Sequence, residues 1–272
     1  MRDIILNNGI KMPILGYGVY LIKPKDTKDL VLKAIRAGYR HIDTAQYYKN
    51  EEGVGNAIRE SGIDRSEFFV TTKTMTKGYN KTKKGLEESL KKFGYPYFDL
   101  VLLHWPMGDD LGAYKALEEA YKEGKVKAIG LSNFNSRQFL EIYNNSEIKP
   151  MVNQIETHLL FQQRKMHEFL TKYNCVHEAY SPLGADLGNL FEHPIVKSIA
   201  KKHNRSTAQI MLKYLVDLDI VVIPKSSHEN RIIDNFNIFD INLDEEDNKL
   251  LKSIDTGKFI TNWPKEMMEE FY

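Results

Sequence analysis

The chain has 272 residues, 42% of them hydrophobic and 28% charged, with a formal net charge of +1. That is enough apolar material for a large core, and the near-zero charge leaves no electrostatic footprint for a nucleic acid or an acidic membrane surface. One cysteine, Cys175, excludes an internal disulfide and a cysteine-based zinc cage; with no apolar run long enough to span a bilayer and no signal-like segment after Met1, the expectation is a cytoplasmic, monomeric protein with no membrane partner.

Asn7-Asn8-Gly9, between residues 4–6 and 10–13, predicts a β-hairpin, because Asn and Gly tolerate positive φ. Short apolar strands then alternate with amphipathic helices. Strands are expected at 14–16, 41–43, 68–73, 99–104, 126–131, 151–154, 176–180 and 220–224. Helices are expected near 26–37, 51–60, 80–93, 112–123, 136–144, 163–173, 194–203, 206–217, 229–235 and 244–254. Such alternation demands a parallel sheet covered by helices. Eight units without a break in composition favour an α/β fold of the closed (β/α)8, or TIM-barrel, type. The hairpin precedes the barrel and two of the helices are extra to the repeat. The open doubly wound alternative calls for Gly-x-Gly-x-x-Gly after its first strand. Gly16-Tyr17-Gly18 continues into Val19-Tyr20-Leu21 and fails that pattern. No linker or low-complexity segment divides residues 1–272, so one domain is expected.

In a parallel barrel the active site lies at the C-terminal ends of the strands. Those ends are expected at Asp43, Lys73, His104, Ser132 with Asn133, Gln154, Tyr180 with Ser181, and Lys225 with Ser226. Nearly all are polar, although the strands before them are apolar. Each has a bland reading when taken alone: Asp43 as a loop cap, Lys73 as a surface lysine, His104 as a structural histidine. Together they suit hydride transfer to a carbonyl, which leaves negative charge on oxygen and needs a proton donor nearby. Tyr48, five residues after Asp43, is the expected donor. A tyrosine with its ordinary pKa of about 10 is a reluctant acid, and an adjacent Lys73 ammonium is expected to lower it. Asp43 would anchor Lys73, and a neutral His104 would hydrogen-bond the carbonyl.

Three segments make the resemblance specific. They are Gly38 to Gly55 with Asp43, Ala45, Tyr48, Asn50 and Glu51; Lys127-Ala128-Ile129-Gly130-Leu131-Ser132-Asn133-Phe134; and Ile223-Pro224-Lys225-Ser226 with Arg231 and Asn235. With Lys73 and His104 in place, the chain resembles the aldo-keto reductase family, of the aldehyde reductase and 2,5-diketo-D-gluconate reductase kind, along essentially its whole length. The resemblance implies an NADPH-dependent oxidoreductase acting on the CH–OH group of donors, with the same four catalytic roles. It also implies that Ser132, Asn133 and Gln154 bind the nicotinamide carboxamide and that Tyr180 stacks on its ring. Ser181 and Leu183 would belong to the loop over the pyrophosphate. Lys225, Ser226, Ser227 and Arg231 suit a ribose 2′-phosphate, since Arg can engage two oxygens at once. Asn235 matches an adenine contact, although Asp234 stands where a glutamate is frequent.

Tyr20, Tyr47, Trp105 and Trp263 are candidates for an aromatic substrate wall, with Tyr20 at a position often held by tryptophan. Short rim segments, Trp105 to Asp110 and Ala185 to Glu192, point to small aldehydes or α-dicarbonyls. Two other classes remain open from the residues: a non-enzymatic NADPH-binding protein, and a barrel isomerase or metal-dependent hydrolase. The second is poorly served, because one Asp and one His with a Lys between them make weak metal ligation.

Overall fold

The computed structural model describes residues 2–186 and 189–259; Trp263 lies outside them. The hairpin forms as β1 (Asp3–Ile5) and β2 (Lys11–Pro13), paired antiparallel. Its turn is closed by Gly9, whose φ of 85° is costly for a residue with a Cβ. Leu6 and Met12 are buried, and the Pro13 carbonyl lies 3.2 Å from His41 Nδ1 at the start of a barrel strand. The hairpin therefore covers the end of the barrel remote from the strand C-termini.

Eight parallel strands follow: β3 (Gly16–Gly18), β4 (His41–Asp43), β5 (Phe69–Thr74), β6 (Leu100–Leu103), β7 (Ile129–Ser132), β8 (Val152–Glu156), β9 (Val176–Tyr180) and β10 (Val221–Val222). Each pairs with the next in chain order. The ring closes through a parallel bridge between Leu15 and Val222, with Val222 N–H donating to the Ile14 carbonyl at 2.9 Å and Gly18 N–H to the Pro224 carbonyl at 3.1 Å. Around it run α1 (Pro24–Ala37), α2 (Glu51–Ser61), α3 (Tyr79–Phe93), α4 (Asp110–Lys122), α5 (Ser136–Asn145), α6 (Arg164–Lys172), α7 (Pro194–His203), α8 (Thr207–Asp217), α9 (Glu229–Phe236) and α10 (Glu245–Lys252). Among the described residues, α7 and α10 are the two helices beyond one per strand.

Local sequence explains where several helices begin and end. Pro24 opens α1, where its missing N–H costs nothing. Capping boxes start α5 (Asn135 with Gln138), α8 (Ser206 with Gln209) and α10 (Asp244 with Asp247). None of the described helices is long and apolar enough to cross a membrane.

The first barrel strand is displaced by two residues from the expected 14–16 to 16–18. Ile14 and Leu15 form the closing seam instead. The glycines answer a steric demand of the ring. A Cβ on Gly16 would sit 2.7 Å from His41 Nδ1, and one on Gly18 would sit 2.8 Å from the Ile223 carbonyl oxygen. Gly16 makes room for the buried His41 ring, and at Gly18 backbone approaches backbone across the seam, where only glycine leaves room. Gly18→Ala should therefore lower stability by about 1–3 kcal/mol in urea unfolding; unchanged stability would contradict the seam argument.

Candidate active site

Period-two alternation puts residues i and i+2 of each strand on one face. In β4 and β5 that places His41 and Asp43, and Thr71 and Lys73, inside the barrel. Lys73 is fully buried and Asp43 nearly so. The Lys73 ammonium donates to Asp43 Oδ1 at 2.5 Å and to the Thr44 carbonyl at 3.1 Å. A charge removed from water needs both a counter-ion and hydrogen bonds, and Lys73 has both. Its third contact is the Tyr48 hydroxyl, 3.4 Å away.

Tyr48 rides on a 3₁₀ turn, Gln46–Tyr48, in the loop after β4. The loop is tied at both ends. Asn50 accepts from Thr44 Oγ1 at 2.7 Å and donates to the Val19 and Ile22 carbonyls at 3.0 and 3.3 Å. Buried Glu51 accepts from Thr72 Oγ1 at 2.6 Å. Gln46 spans to Ser89 and to the Met75 N–H at 3.0 and 2.8 Å. These residues hold the phenol over the barrel mouth.

One sequence expectation reverses. The Tyr48 hydroxyl is held well above the usual phenol range, first by loss of water and then by the fields of Asp43, Tyr20 and Glu178. Lys73 does not outweigh them, because its charge is already engaged by Asp43. The phenol therefore stays protonated at neutral pH.

His104 follows β6 and is buried; loss of water and the Lys73 charge push its pKa down to about 2. The imidazole is neutral. Its ring lies 5.7 Å from that of Tyr48, edge-on, and 4.2 Å from that of Trp105. Tyr47 stands edge-on to Trp105 at 5.9 Å, and Tyr20 lies 5.0 Å from Tyr48. Tyr20 and Tyr47 are 48% and 50% exposed. A wall of aromatic faces thus rises from the hydroxyl toward solvent.

On the opposite side, Ser132 ends β7. Asn133, at a left-handed φ of 64°, donates to the His104 carbonyl at 3.0 Å and to Ser132 Oγ at 3.2 Å. Tyr180, the last residue of β9, donates its hydroxyl to Asn133 Oδ1 at 2.8 Å. Gln154 uses its amide nitrogen twice, to Asp43 Oδ2 and to Glu178 Oε2, both at 2.9 Å. The loop leaving β9 begins with Ser181 at φ 51°, and Leu183 is half-buried.

Glu178 was not expected. It lies fully buried in β9, two residues before Tyr180, and faces the barrel interior. Its Oε1 has no hydrogen bond and lies 3.6 Å from His41 Nε2. Burial and then the Asp43 charge push its pKa up to about 8. An acid between His177 and Ala179 in a strand expected to be buried was the available signal. More generally, the barrel interior is more polar than strands read as apolar suggest.

Beyond β10, Lys225, Ser227 and Arg231 are exposed, whereas Ser226 and Asn235 are buried. Ser226 Oγ accepts from the His228 N–H at 3.1 Å, and the Ser226 carbonyl accepts from Tyr17 Oη at 2.5 Å. The two hydrogen bonds fix the stretch between β10 and α9. No cluster of three His, Cys, Asp or Glu side chains suited to a metal occurs among the described residues.

The aldo/keto reductase family model matches residues 15–256. The chain is 43% identical to a 9,11-endoperoxide prostaglandin H2 reductase of Trypanosoma cruzi, over 96% of this chain and 94% of that one. It is 40% identical to a glyoxal reductase of Bacillus subtilis, over 98% of each. A crystal structure of a Bombyx mori aldo-keto reductase in complex with NADP superposes with a TM-score of 0.91 at 31% identity, covering 98% of this chain and 99% of that one. With a match across most of its length and a closed barrel bearing polar strand ends, this chain belongs to the aldo/keto reductase family.

Proposed function

We propose that the protein reduces small aldehydes and ketones to alcohols with NADPH, and in reverse oxidises the CH–OH group of alcohol donors. The observation that carries this reading is the Tyr48 hydroxyl 3.4 Å from a Lys73 ammonium that is itself held at 2.5 Å by Asp43. NADPH, when bound, supplies the hydride. The chain's own task is the oxygen. As a hydride reaches the carbonyl carbon, the oxygen gains the electron pair of the C=O π bond, and Tyr48 transfers its O–H proton to it. An alkoxide is a stronger base than an ordinary phenolate, and it draws the proton from Tyr48. Lys73 then lies beside the phenolate that remains and stabilises it. Neutral His104 donates one N–H to the substrate oxygen and orients it. Asp43 keeps Lys73 charged and in place.

The residues at the mouth fit the cofactor's chemistry. Both Gln154 Nε2 hydrogens point inward, which leaves its Oε1 as an acceptor for a carboxamide. Ser132 and Asn133 would complete that contact, and the Tyr180 ring would stack on the nicotinamide for about 1 kcal/mol. Ser181 and Leu183 would line the pyrophosphate. Lys225 and Arg231 pair with no carboxylate among the described residues, which suits them, with Ser226 and Ser227, to a 2′-phosphate. Asn235 is buried in α9, so an adenine contact would use only its outer edge. Similarity to a glyoxal reductase and the aromatic wall of Tyr20, Tyr47 and Trp105 favour small dicarbonyl and aromatic aldehyde substrates.

Two outcomes test the reading. Tyr48→Phe should lower kcat for methylglyoxal reduction by about 100-fold or more while NADPH affinity, followed by fluorescence, stays near that of the unaltered protein; normal turnover would remove Tyr48 from the role of acid. Arg231→Ala should weaken NADPH binding by about 10-fold or more and leave NADH binding nearly unchanged. An equal effect on both cofactors would contradict the 2′-phosphate assignment.

A further inference from the structure

Glu178 is a buried acid that the reaction as described does not use. Four strands surround it with named partners. From β8, Gln154 donates to its Oε2 at 2.9 Å. From β4, Asp43 shares the same Gln154 nitrogen, and His41 Nε2 lies 3.6 Å from its Oε1. From β5, Thr71 Oγ1 lies 3.2 Å from the same His41 Nε2, and Lys73 pairs with Asp43. From β10, paired beside it, come only Val221 and Val222.

The tautomer of His41 follows from its contacts. Its Nδ1 faces the Pro13 carbonyl, an acceptor only, so Nδ1 carries the proton. Burial pushes the His41 pKa down to about 3, so the ring is neutral and Nε2 is an acceptor that takes the Thr71 hydroxyl proton at 3.2 Å, with Glu178 Oε1 3.6 Å away. A carboxylate oxygen beside a nitrogen that can only accept gains no hydrogen bond from it, and among the described residues no cation pairs with Glu178. The charge count agrees. Asp43 and Lys73 cancel, so an ionised Glu178 would leave an uncompensated negative charge inside the barrel, beside a second carboxylate held by one shared amide.

We propose that Glu178 is a positioning residue that acts as a neutral carboxylic acid, fixing the Gln154 amide so that its Oε1 faces the cofactor, and that its ionisation opposes proton donation by Tyr48. The second half follows from the field: a negative charge inside the barrel disfavours the phenolate that Tyr48 becomes. The carboxyl's raised pKa, about 8, puts this transition within reach of assay. Tyr48 itself titrates well above 10, so the two cannot be confused. The inference rests on the NADPH-dependent reduction proposed above.

The test is kcat for methylglyoxal reduction at saturating NADPH from pH 6 to 9.5, with NADPH affinity from fluorescence quenching, in the unaltered protein, Glu178→Gln and Glu178→Leu. The unaltered protein should lose activity as pH rises through about 8. Glu178→Gln still accepts from Gln154 but cannot ionise. It should match the unaltered kcat at pH 7 to within about twofold and lose the alkaline fall. Glu178→Leu, which leaves Gln154 one acceptor short, should weaken NADPH binding at pH 7 by about three- to tenfold. An alkaline fall that persists in Glu178→Gln overturns the inference, as does Glu178→Leu binding NADPH with unaltered affinity. An unaltered protein that neither binds NADPH nor reduces any carbonyl would overturn the function itself, a distinct result.

Discussion

A lysine ammonium with no exposure to water, held by one aspartate, is the constraint around which this barrel is arranged. Lys73 and Asp43 meet at 2.5 Å on adjacent strands, and neither could be ionised there alone. The pair buries cleanly because the surroundings finish its hydrogen bonds. The Thr44 carbonyl takes a second ammonium proton, and Gln154 donates to the other aspartate oxygen. Such a pair is a poor device for stability when weighed against apolar packing. Its value is positional, since it fixes a cation a hydrogen bond's length from a phenol.

The rest of the fold serves that position. Parallel pairing sets Asp43 beside Thr71, with Lys73 two residues further along β5, and period-two alternation turns all three inward. The seam glycines let the ring close without pushing His41 aside. Asn50, Glu51 and Gln46 tie down the loop that brings Tyr48 across the mouth. The balance at Tyr48 then becomes physical rather than diagrammatic. Dehydration and the Asp43 charge prevail over a lysine already engaged, so the phenol is held in its protonated form.

Much of this could be read from the sequence. The hairpin turn at Asn7-Asn8-Gly9, the alternation of eight strands with helices, and the two extra helices all rest on local rules of turns, caps and periodicity. Family membership rested on dense motifs around Asp43, Ser132 and Lys225, and the comparisons bear it out. What could not be read depends on residues far apart in the chain. The strand at 16–18 began two residues later than its apolar run because closure on β10 uses Ile14 and Leu15. Glu178 looked like one polar position in a strand, since its meaning lies in His41, 137 positions earlier, and in Gln154 on the next strand. The direction of the Tyr48 shift needed burial, which no spacing rule supplies.

A double-mutant cycle on unfolding free energy addresses the Lys73–Asp43 pair most directly. Asp43→Ala and Lys73→Met should each destabilise the protein by about 3–5 kcal/mol, because each strands a buried charge. The double variant should be less destabilised than the sum of the two by about 1–3 kcal/mol, since it leaves no charge without its partner. Strictly additive losses would mean that the two side chains do not depend on each other, and the account built on their pairing would be wrong.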